Sequence, residues 1–185
     1  TAVLDTLSDL SGTYVLDPAH TRIGFVARHA MVTKVRGQFN EFEGIGVVDA
    51  SDFAKSTVTV TIQAASIDTR NEQRDAHLRS NDFLAMEEYP LITFTSTGVK
   101  QTGPTSVELT GDLTVRGVTN TVTIPFEFEG AATDPFGNLR VGFEGSVVIN
   151  RKDYGVTWNV ALETGGVLVS DKITLEFEVS AIKTA

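Results

Sequence analysis

The chain has no cysteine among its 185 residues. That excludes disulfides, thiolate metal sites and cysteine nucleophiles, and it leaves the redox compartment open. Long apolar runs are missing too, since no stretch approaches the roughly 20 consecutive apolar residues of a membrane-spanning helix, so the chain is not expected to insert directly into a membrane. Basic charge is in short supply: 15 Lys and Arg face 24 Asp and Glu, for a net charge of −9 and a pI near 4.7. Such a surface does not displace counterions from phosphates, which argues against nucleic-acid binding and against docking on anionic membranes.

Several chemical signatures are also absent. Gly44-Ile45-Gly46 is too short for a dinucleotide fingerprint, and there is no Gly-rich phosphate loop or nucleophile elbow. The three histidines, His20, His29 and His77, match no compact metal-ligand spacing, so no metal and no cofactor is expected. His20, after Pro18, is expected to fix a turn, and His77 to anchor a helix.

What is present is alternation. Ile173, Leu175, Phe177 and Val179 share one parity and Thr174, Glu176 and Glu178 the other, the period of a strand with one buried face. Val58, Val60 and Ile62 alternate with threonines, and Val122, Ile124, Phe126 and Phe128 repeat the pattern around Pro125, which marks a bulge or an edge. Shorter runs occur at Ile23, Phe25, Ala27; at Leu139, Val141, Phe143; at Val147, Ile149; and at Val167, Val169. Eight or nine strands are predicted. Thr69 with Glu72 reads as a capping box opening one short helix around residues 71 to 80, with Asp75 and Arg79 spaced to pair. An irregular stretch from Ser80 to Pro90 then carries Phe83, Leu84, Met86 and Tyr89, which need a surface to cover. The length suits a single domain over residues 1–185. Periodicity alone leaves sandwich and barrel open, although closure removes exposed sheet edges.

A series of landmarks then appears in order: Leu16-Asp17-Pro18-Ala19-His20-Thr21; Phe25-Val26-Ala27-Arg28-His29-Ala30-Met31; Val35-Arg36-Gly37-Gln38-Phe39; Arg74 to Phe83; Tyr89 to Ser96; Gly111-Asp112-Leu113-Thr114-Val115-Arg116-Gly117; and Asn150-Arg151-Lys152-Asp153-Tyr154-Gly155. Together they resemble the YceI family over about residues 12 to 182. Thr13-Tyr14 stands where an aromatic usually begins the first strand, and Thr21 where a serine is frequent. The resemblance implies an all-β, lipocalin-like antiparallel β-barrel of about eight strands with one short helix in an insertion. It also implies a cavity for a long isoprenoid lipid, a polyprenyl chain or an isoprenoid quinone, and a homodimer. Thr1 to Ser11 shows neither the basic nor the apolar part of an export signal. The chain thus resembles members without a leader, and a cytoplasmic location is expected, or a periplasmic or secreted one had a signal been removed.

Under that resemblance the inward faces line the cavity, which nominates Ile23, Phe25, Ala27, Val58, Val60, Ile62, Phe83, Phe94, Leu113, Val115, Phe143, Trp158 and Phe177 as ligand-binding; an ordinary dry core is the plainer reading of each. His29 shares the parity of Ile23, Phe25 and Ala27 and is nominated as the polar cavity residue. Arg116 and Arg151 are the candidate head-group contacts, against the alternative that each clamps a turn. Arg70, Arg74 and Arg79 are more simply a solvated helical face. The expected function is binding, sequestration or transport of an isoprenoid lipid, without catalytic residues. Two rivals stay open: an enzyme acting on a lipid head group through His29, and a stress-linked interaction module.

Overall fold

The computed structural model describes residues 3–4, 10–30, 32–159 and 169–185, so Met31 and Val167 lie outside the described residues. Among the described residues, twelve strands form one antiparallel sheet. In chain order they are β1 (Val3–Leu4), β2 (Gly12–Leu16), β3 (Arg22–His29), β4 (Thr33–Phe39), β5 (Phe42–Val48), β6 (Thr57–Gln63), β7 (Ile67–Asp68), β8 (Leu91–Gln101), β9 (Ser106–Val115), β10 (Val118–Thr133), β11 (Leu139–Asn150) and β12 (Lys172–Lys183). The helix α1 (Glu72–Arg79) stands between β7 and β8.

Eight of these strands close on themselves in the order β10-β9-β8-β6-β5-β2-β12-β11, with β11 returning to β10. The fold is thus an antiparallel barrel with one short helix. Closure depends on β12, whose free edge is shared: Ala181 to Lys183 pair with β2, while Thr174 to Glu178 pair with β3. From this fork β3, β4 and β7 continue as a side branch. The excess over the predicted strand count comes largely from bends, because β2 and β3, β4 and β5, and β6 and β7 follow one another in the same direction with only a short break between. In the opposite sense, β11 runs unbroken through Gly145, where two runs were predicted, because Gly145 stays paired with Phe126 and Phe177.

Local chemistry explains the joints. Val115 pairs with Val118, leaving Arg116 and Gly117 as a two-residue hairpin loop with φ of 52° and 73°. Positive φ at both positions is the primed turn whose twist matches that of the strands. A Cβ on Gly117 would also come within 2.6 Å of the Tyr89 ring. Pro125 lies where β10 is paired with β9 alone, since pairing with β11 begins at Phe126; its missing N–H costs the ladder nothing there.

The helix occupies residues 72–79, but its cap differs from the predicted capping box. Asn71 caps it, accepting from the Arg74 N–H at 3.0 Å. Thr69 instead donates its hydroxyl (2.5 Å) and backbone N–H (2.9 Å) to the buried Asp75 carboxylate. Asp75 is thereby turned inward and does not pair with Arg79, which donates to the carbonyls of Ala65 and Ile67. Arg74 reaches back to Thr69 in the same way. These arginines are therefore pins on the preceding segment rather than a solvated face.

Candidate functional site

Inward-facing side chains of the strands surround a cavity of about 370 Å³, inside the range of sites for small molecules. It runs between two apolar clusters. One, around Leu10, Tyr14, Val107, Phe128 and Val141, lies toward the β8–β9 and β10–β11 turns. The other, around Ile62, Phe83, Phe94, Leu113, Tyr154 and Val156, lies toward the Arg116–Gly117 hairpin and α1. The irregular segment after α1 closes over this second end. Phe83 and Ala85 are buried, Leu84 and Met86 pack on the same cluster, and Arg116 Nη1 holds the Phe83 carbonyl at 2.8 Å.

Twelve of the nominated residues line this one cavity: Ile23, Phe25, Ala27, Val58, Val60, Ile62, Phe83, Phe94, Leu113, Val115, Phe143 and Phe177. Two do not. His29 is exposed at the end of β3, outside the lining. Its parity points inward, but β3 leaves β12 after Val26 and is bridged at His29 to Val169; Ala27 still lines the cavity, whereas Arg28 and His29 at the strand end are exposed. Trp158 stands at the second end in an aromatic group, its ring centroid 4.6 Å from His77 and 5.3 Å from Phe83. His77 also meets Asp82 at 2.8 Å, so this histidine ties α1 to both neighbouring segments.

Arg151 lines the cavity, yet its donors are spent on the protein. They reach the carbonyls of Ser170 (2.9 Å), Val156 (2.7 Å), Trp158 (3.0 Å) and Val169 (3.4 Å), with Asp171 at 3.6 Å. Burial pulls its pKa down and Asp171 opposes that. Arg151 thus fastens the chain on both sides of residues 160–168. Arg116 lies outside the lining.

Several lining residues escaped sequence analysis. Val107 and Leu109 share the parity of Leu113 and Val115 on β9, but Gly111 interrupts the run. A side chain there would press on the Phe94 ring, 2.5 Å from its Cβ. Tyr154, met in the sequence only within a motif, is buried at 2% exposure in the cavity wall.

Outside the barrel, the lining of a second concavity of about 590 Å³ includes Glu108, Glu127, Glu129, Glu144, Glu176 and Glu178, with Arg22 3.8 Å from Glu176. Among the described residues no group of three His, Asp or Glu is placed to hold a metal ion, and no helix is long and apolar enough to cross a membrane.

Comparison with known proteins matches the YceI-like domain over residues 14–181. The chain belongs to the YceI-like domain family. A UPF0312 protein of Staphylococcus aureus (strain MSSA476) is 39% identical over 169 residues, covering 91% of this chain and 95% of the relative. Among solved structures, Burkholderia cenocepacia BcnA superposes with a TM-score of 0.78 at 24% identity, covering 89% of this chain and 98% of BcnA. A polyisoprenoid binding domain from Saccharophagus degradans superposes with a TM-score of 0.67 at 14% identity, covering 92% and 98%. In YceI-like terms, the motif Asn150 to Gly155 is the turn that carries Arg151 and Tyr154, and the motif Arg74 to Phe83 is the helix that covers one barrel end.

Proposed function

We propose that this YceI-like barrel binds a long isoprenoid lipid in its cavity and acts as a carrier rather than as an enzyme. The observation that carries this reading is a continuous apolar interior of about 370 Å³ running between the two clusters. A void of that kind excludes water, since nothing on most of its wall can hydrogen-bond it. A slender apolar chain fits its chemistry: at about 25 cal/mol per Å², burial of roughly 330 Å² of tail gives about 8 kcal/mol, the scale of a micromolar complex before the cost of association. The fold shared with the Saccharophagus degradans domain supports the same class of ligand. Against an enzyme stands the position of His29, which faces solvent rather than the cavity.

The test is to fill the interior. Ala27→Trp and Val60→Trp put an indole into the cavity from two different strands. Binding of a fluorescent polyprenyl probe should weaken at least tenfold in either variant that retains the wild-type circular dichroism spectrum. Unchanged binding in both would place the ligand elsewhere and end this reading.

A further inference from the structure

The cations of this acidic chain are unevenly placed. No Asp or Glu occurs between Asp17 and Glu41, while that interval holds Arg22, Arg28, Lys34 and Arg36. It spans β3, a turn in which the Val32 N–H donates to the His29 carbonyl at 3.2 Å, and β4. Phe25 and Ala27 line the cavity, so Val26 and Arg28 point outward. Their partners across the hairpin are Arg36 and Lys34. On the other side Val26 pairs with Thr174, and Thr174 with Val148. Lys172 shares the outward parity of Thr174, because Ile173 and Leu175 line the cavity.

One outer face at the α1 end of the barrel thus gathers Arg28, Lys34, Arg36 and Lys172, all exposed. Among the described residues none of these four side chains makes an ion pair or a hydrogen bond. Arg28 lies directly opposite Lys34, and like charges so placed cost a sheet stability. Apolar groups stand among them: Val148 is 58% exposed on this face, and Val32 is 76% exposed at the hairpin tip. The carboxylates that flank Lys172 do not neutralise the face. Asp171 is held by Lys152 at 3.4 Å and Arg151 at 3.6 Å. Glu176 faces Arg22 at 3.8 Å and lies four strand residues from Lys172, about 13 Å, beyond the Debye length of about 8 Å at physiological salt.

We propose that this face docks the protein on a membrane surface containing anionic lipid, with the four cations against head groups and Val32 and Val148 in the interfacial layer. The proposal rests on the cavity being a lipid site, which gives the molecule a cargo to exchange with a bilayer. Unpaired cations beside exposed valines suit a surface that is anionic outside and apolar beneath; an acidic protein or a nucleic acid would use only the cations. The acidic remainder of the molecule is repelled by the same surface, so approach is oriented with the β3–β4 hairpin foremost.

The experiment is cosedimentation with vesicles of phosphatidylcholine alone and of phosphatidylcholine with an equal part of phosphatidylglycerol. Wild type should bind the mixed vesicles only, and less so as salt rises from about 0.05 to about 0.5 M. The triple variant Arg28→Gln, Lys34→Gln, Arg36→Gln should bind about a hundredfold more weakly, and the pair Lys34→Gln, Lys172→Gln about thirtyfold. Val32→Ser should weaken binding about fivefold. All these variants should take up a fluorescent polyprenyl probe in solution as wild type does, and the charge variants should pass it more slowly to the mixed vesicles. No binding of wild type to the mixed vesicles, or equal binding by wild type and both charge variants, would overturn the docking face while leaving the cavity a lipid site. Tighter binding to polyglutamate than to the vesicles, indifferent to Val32→Ser, would overturn it in favour of an acidic protein partner. Cosedimentation by a wild type that takes up no probe would instead overturn the lipid site and leave the docking face standing.

Discussion

Single residues decide how the barrel ends are held. Arg151 is 5% exposed and clamps four backbone carbonyls, sharing that of Val169 with the Asn159 side chain. Lysine keeps the charge but loses the planar fork that reaches several acceptors at once. Arg151→Lys should therefore lower unfolding stability by about 2 kcal/mol, read by denaturant titration. At the opposite end, Asp17 accepts from Arg140 at 2.5 Å and meets His20 at 2.7 Å, so that His20 does fix the turn after Pro18. The Arg140 hydrogen bond first, then that of His20, holds the Asp17 carboxyl down at about 2. Its unfolded value lies near 3.9. The stabilisation is thus present above about pH 4 and is lost as pH falls toward 2. Melting temperatures of wild type and Asp17→Asn should differ at pH 6 and converge near pH 2; a gap that persists at pH 2 would contradict this assignment.

Elements show where a sequence pattern is readable and where it stops. The faces of β6 and β12 were legible residue by residue, because both strands lie in the closed wall with core on one side and water on the other. The same parity misplaced His29, because alternation carries meaning only while a strand still borders the core. Helix α1 was found, with its cap at Asn71 instead of Thr69. The capping-box pattern cannot see that Thr69 has a better acceptor in Asp75, which tertiary folding turns inward. Asn71→Ala should accordingly cost about 1 kcal/mol, measured as a shift of the denaturation midpoint at constant m-value. Tyr154 belongs to the same lesson: its motif is visible, but only the packed barrel shows the ring buried in the cavity wall.

Across the whole molecule, one device produces both the fold and its use. Joining β10 to β11 and β11 to β12 leaves the eight-stranded wall itself without an open edge, and it encloses a space that the protein's own side chains do not fill. An empty apolar void weakens a core in proportion to its volume, so an occupant that binds only the folded state stabilises the protein by mass action. Taken as a whole, the net charge of −9 disfavours association with anionic surfaces. The most direct measurement is to purify the protein from cells without detergent, extract it with organic solvent and identify what is released by mass spectrometry. The account predicts an isoprenoid lipid in near-stoichiometric amount; repeated extracts that hold no apolar compound, from protein that also fails to take up polyprenyl probes, would contradict it.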